Sequence, residues 1–134
     1  MVLSYPKQTI NRIRYIESYP EQSVQIWWHD VSSLASNFFF VIQQPESMLF
    51  EQPLTMLIAN FQEAYTEISQ MPAPQQVQHL RQCLLASMMD LITGYKEYLA
   101  HGDELARAYI QSALFELQFV QMELQELRKN HLVG

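Results

Sequence analysis

Glycine is nearly missing from this 134-residue chain, which contains only three. β-Rich folds call on glycine in their hairpins and bulges, so its scarcity argues against sheet and makes helix the default expectation. Cysteine is rarer still. With Cys83 alone, no intrachain disulfide can form and nothing suggests an oxidising compartment. Long apolar runs are missing too: the run 38–42 falls far short of the roughly 18 residues needed to span a bilayer. The opening residues, from Met1 to Pro6, lack the charged segment and apolar run of a secretory signal. Positive charge is also scarce. Eight Lys and Arg face fourteen Asp and Glu, for a net charge of −6, and the basic residues are scattered, so nucleic acid is repelled more than attracted. The densest basic stretch, Lys7, Arg12 and Arg14, is too small to hold a phosphate backbone and is expected to be a solvated face. Together these shortages predict a cytoplasmic protein with neither a nucleic-acid nor a membrane partner.

Apolar side chains are plentiful by contrast: 49% of the residues are hydrophobic and 12% aromatic, enough to enclose one core. A single domain over 1–134 is expected, with a short N-terminal helix at 6–18, a bundle at 20–129 and a frayed tail at 130–134. Proline fits the first turn of a helix and breaks its interior, and the prolines here fall where helical patterns begin. From Pro20, Val24, Trp28, Val31, Ala35, Phe38 and Ile42 recur at three- and four-residue steps, widened by Trp27, Leu34 and Val41, which predicts one helix over 20–43. Met48-Leu49-Phe50 reads as a short helical turn plugging one end of the core. Leu54, Leu57, Ile58, Phe61, Tyr65 and Ile68 define the next helix, and Val77, Leu80, Leu84, Met88, Leu91, Tyr95 and Tyr98 the one after it. Between these two, Met71-Pro72-Ala73-Pro74 must be non-helical in part. Gly102 can end the fourth helix, and Asp103 is placed to cap the last, which runs to about Lys129. Residues 98–103, followed by Ala106, Ile110 and Ala113, resemble the turn between paired helices of tetratricopeptide-like repeats. The pattern occurs once and is one residue short, so it implies a tight antiparallel hairpin and no repeat array. The expected fold class is all-α, an up-and-down bundle of about four long helices with a short N-terminal helix.

The last helix says most about function. Ala106, Ile110, Ala113, Leu117, Val120, Leu124 and Leu127 form an unbroken heptad seam, while Phe115, Phe119 and Met122 form a second apolar strip on nearly the opposite side. Either the helix is central to its own bundle, or the strip is an intermolecular surface on which aromatic and Met side chains act as anchors. A central core helix is the plainer reading; yet in a bundle of four each helix normally keeps a solvated face, where leftover aromatics are hard to hide, and a symmetric dimer through this helix would hide them. Phe115, Phe119 and Met122 are therefore the expected partner contacts, with Trp27 and Trp28 as further candidates.

Catalytic and metal sites are expected to be absent. His29 cannot easily be oriented by Asp30, since neighbouring helical residues point about 100° apart. His79 and Cys83 have the spacing of two ligands to one metal, but no matching His or Cys pair supplies the rest. His101 suits a helix C-terminus. Glu63 with Glu67, and Glu123 with Glu126, read as solvated carboxylates, since the Glu-x-x-His pattern of di-metal bundles does not occur. No phosphate loop, nucleophile elbow or paired-Cys motif is present. The expectation is a non-catalytic protein–protein interaction module with no cofactor and no metal, such as a homodimeric adaptor, assembly factor or chaperone-like regulator. The alternative is a bundle holding an apolar small molecule or pigment, walled by Trp27, Trp28, Phe38 and Tyr95 with His29 as the polar contact.

Overall fold

Prolines mark the element boundaries in the computed structural model, which describes residues 20–133. Pro20 is the first residue of helix α1 (Pro20–Leu34), and a short helix α2 (Ser36–Ile42) follows it. Pro45 precedes a 3-10 helix (Glu46–Glu51), Pro53 precedes α3 (Leu54–Gln70), and Pro74 precedes a 3-10 turn (Gln75–Val77) that leads into α4 (Gln78–His101). The longest helix, α5 (Asp103–Lys129), ends the fold. The domain is all-α, a helical bundle mixing long and short helices, with no strand among the described residues. The N-terminal helix expected at 6–18 lies outside those residues.

The helix expected over 20–43 is divided at Ala35, whose backbone (φ −96°, ψ 14°) departs from helical values. The amide-to-carbonyl bonds from Ala35 to Val31 and from Phe39 to Ala35 persist, so the chain bends there rather than stops. Hydroxyl side chains that bond back to the preceding turn bend helices, and the Ser32 hydroxyl donates to the His29 carbonyl at 3.1 Å just before the bend. The bend lets both halves bury their apolar sides: Val24, Trp27 and Val31 from α1, and Phe38, Val41 and Ile42 from α2.

A run of rings crosses the core. Phe38 meets Phe61 edge-on at 5.8 Å, Phe61 lies 6.4 Å from Tyr95, and Phe50 stacks on Tyr98 at 4.2 Å, all within the range of favourable aromatic pairs. The Tyr95 hydroxyl donates to the Leu49 carbonyl at 2.8 Å, which fastens the 3-10 helix, with Leu49 buried, over the end of the bundle.

α4 and α5 pack most extensively, joined through Gly102 alone. Gly102 has φ 87° and ψ −162°, a conformation open in practice only to glycine, and its amide donates to the Tyr98 carbonyl. Asp103, expected as the cap of α5, is its first residue instead. Gly102 occupies the cap position and the Asp103 carboxylate pairs with Arg107 at 3.1 Å. Beyond the far end of α5 the chain turns back on the helix. Leu132 donates to the Leu127 carbonyl, His131 (φ 60°) donates to that of Arg128, and Val133 is buried. This is the Schellman closure, with histidine where glycine is usual.

Candidate functional site

The α4–α5 hairpin sets a simple register. About its turn, position 90 faces 112 and position 79 faces 123: the Ser112 hydroxyl donates to the Asp90 carboxylate at 2.6 Å, and His79 Nδ1 meets Glu123 Oε2 near the open end. Cys83 lies one helical turn from His79, its Sγ 3.7 Å from His79 Nε2 and 4.0 Å from Nδ1. One donor atom each from His79, Cys83 and Glu123 therefore falls within 4.8 Å of the others. The side chains differ in access. That of His79 is 66% exposed and that of Glu123 28%, whereas Cys83 is buried. Burial pushes the Cys83 thiol above its ordinary pKa, and the carboxylates of Glu116 and Glu123 push it the same way, so the unbound thiol stays protonated.

This cluster corrects the expectation that the chain holds no catalytic constellation. Nitrogen, sulfur and oxygen donors converge on one point with one side toward solvent, and three protein ligands plus an open position is the arrangement catalytic zinc sites use. The His79–Cys83 spacing is visible in the sequence, but the third donor comes from the other arm of the hairpin, from a glutamate expected to be merely solvated. Reflecting α4 onto α5 about the expected turn at Gly102 is the signal that pairs 79 with 123.

The proposed contact residues separate into two groups. Phe115 and Met122 are 57% and 61% exposed, on the side of α5 away from its buried seam. Phe119 is half-buried against the core and meets Phe115 edge-on at 5.2 Å. Trp28 is half-buried, while Trp27 is fully buried and so offers no surface to a partner. The Trp27 indole N–H has no acceptor among the described residues.

The residues expected to wall an apolar ligand differ in burial. Trp27, Phe38 and Tyr95 are fully buried core and His29 is exposed. Only Trp28 of that set lines the open groove between the α1–α2 arm and α5, where it is joined by Phe39, Leu117, Val120 and Leu124. The groove holds about 190 Å³, below the roughly 300 Å³ at which small-molecule pockets begin. His101 pairs with Glu97 at 2.6 Å in the last turn of α4, a structural arrangement. No helix among the described residues is long and apolar enough to cross a membrane.

Fold and site together define an all-α helical bundle whose longest hairpin carries a mixed His/Cys/Glu cluster and an outward apolar strip. Compared with known proteins, the chain matches no family model, and no curated protein or solved structure matches it.

Proposed function

We propose that this protein is a protein-interaction module that self-associates through the outward face of α5, as an adaptor or assembly factor would. The observation that carries the proposal is the pair of large apolar side chains, Phe115 and Met122, each more than half exposed at the middle of the longest helix. Isolated exposed apolar residues are ordinary, but a row of them along one helix face marks a contact surface.

The face is self-complementary. Glu104, Ala108, Gln111, Phe115, Phe119, Met122, Glu126 and Lys129 follow one another at three- and four-residue steps, and all but the half-buried Phe119 are exposed. Laid antiparallel on a second copy, this row sets Phe115 opposite Phe119, Gln111 opposite Met122, and Glu104 opposite Lys129. Opposite charges then meet at both ends of an apolar centre, and the two helix dipoles run in opposite senses. A parallel pairing would set Glu104 against Glu104, so the antiparallel dimer is the arrangement the row fits, and a two-fold axis generates it. A buried free thiol suits a reducing, cytoplasmic setting.

Light scattering over a wide concentration range tests the proposal. The expected result is a dimer mass that Phe115→Glu converts to a monomer with an unchanged helical circular dichroism spectrum. Phe115 is preferable to Phe119 for this test because it lies outside the core. Glu104→Lys should weaken the dimer, and adding Lys129→Glu should restore it. A wild-type chain that stays monomeric at every concentration rules the dimer out.

A further inference from the structure

We propose that His79, Cys83 and Glu123 form a binding site for one divalent metal ion of the zinc class. The geometry comes first. With metal–sulfur and metal–nitrogen bonds of ordinary zinc length, a tetrahedral ion holds its sulfur and nitrogen ligands about 3.5 Å apart. Cys83 Sγ and His79 Nε2 are already 3.7 Å apart, and the whole donor set spans no more than 4.8 Å. Small rotations of the His79 and Glu123 side chains, both of which reach solvent, therefore suffice to close the set around an ion.

The scaffold is suited to the task. His79 and Cys83 occupy successive turns of α4, and Glu123 projects from α5 across the most extensively packed helix pair in the fold. Sites built on packed helices hold their donors more precisely than sites on loops. Leu80, Leu84, Val120 and Leu124, which lie beside these ligands along the two helices, are all buried.

The donor chemistry selects the ion. Calcium and magnesium take all-oxygen shells, whereas a thiolate with an imidazole and a carboxylate suits zinc, and also cobalt as its spectroscopic stand-in. On binding, Cys83 gives up its thiol proton to solvent and ligates as thiolate, and His79 ligates as neutral imidazole. No electron is transferred. The exposed His79 side leaves the fourth position to water or to a donor from outside the chain.

Cobalt(II) titration of the metal-freed full chain, followed by absorbance, tests the site. The expected result is saturation at one ion per chain, with a thiolate-to-cobalt charge-transfer band and the intense visible bands of four-coordinate cobalt, both abolished by added zinc. Cys83→Ser should remove the charge-transfer band while leaving the helical spectrum intact. His79→Ala and Glu123→Gln should each weaken binding by about tenfold or more, and Glu126→Gln should have no effect. Phe115→Glu should bind cobalt as the parent does, which separates this site from the dimer surface. Failure to saturate at one ion per chain, or a band that persists at full affinity in both His79→Ala and Glu123→Gln, overturns the proposal.

Discussion

Tyr95 does two things at once: its ring fills the centre of the aromatic run, and its hydroxyl is the donor for a buried carbonyl at Leu49. A polar group taken from water must keep its partner, and a carbonyl left without one loses about 1–3 kcal/mol. Tyr95→Phe keeps the ring and removes the donor, so urea unfolding should show a loss of that size at neutral pH. Burial also raises the Tyr95 phenol well above its ordinary value of 10, so the folded chain keeps this proton where the unfolded chain sheds it. The folded state then binds more protons, and stability falls as pH rises past 10, by up to about 1.4 kcal/mol per pH unit from this one group. Comparing the alkaline slopes of the parent and Tyr95→Phe measures it: the variant's slope should be shallower, and equal slopes would remove the burial account. Ser87 plays a similar part on a smaller scale, its buried hydroxyl donating to the Ala113 carbonyl at 2.7 Å across the α4–α5 contact.

Among the elements, the α4–α5 hairpin depends on two glycines for different reasons. A methyl group at Gly94 would stand 3.1 Å from Tyr109 Cβ and 3.3 Å from the Ala106 carbonyl oxygen, so α5 itself would have to move. At Gly102 there is open space, but φ of +87° strains any side chain. Gly102→Ala should cost about 1–3 kcal/mol through the backbone alone. Gly94→Ala should also destabilise, because overpacking of about 1–3 kcal/mol exceeds the helix propensity gained, which is about 1 kcal/mol. Thermal denaturation of each single variant checks both, and a Gly94→Ala chain more stable than the parent would show that the helices have slack. Gly102 was legible in the sequence because it follows the last periodic residue of a helix. Gly94 carried no such signal, since a close helix approach is made by two segments and seen in neither. The same division runs through the rest of the fold. Every seam position from Ala106 to Leu127 is buried as its spacing predicts, whereas the bend at Ala35 left no mark because the apolar period passes through it unchanged. His79 and Cys83 were visible as a spaced pair, but Glu123 lies 44 positions from His79 and only the register of the folded hairpin brings it near.

For the molecule as a whole, the hairpin is the frame on which the other elements are mounted. α3 packs against α4, α1 and α2 pack against α3, and both the His79–Cys83–Glu123 cluster and the outward row of α5 lie on the hairpin itself. Its two arms are the longest helices of the fold, and a single residue joins them. Closing a loop costs more entropy the longer the loop, and here that cost is near its minimum, so the two arms can find each other before distant segments do. Contacts such as Phe38 with Phe61 and Leu49 with Tyr95 must wait for wider loops to close. Folding is therefore expected to start at Gly102 and zip toward the open end, with φ-values high for alanine substitutions at Ile92 and Ile110 and low for those at Val31 and Phe38. High values in α1 and α2 would reverse the order. A chain that folds this way completes the His79–Cys83–Glu123 cluster at the last contact of its first event, so an ion bound there would act as a latch on the nucleus, slowing its reopening while the remaining helices dock.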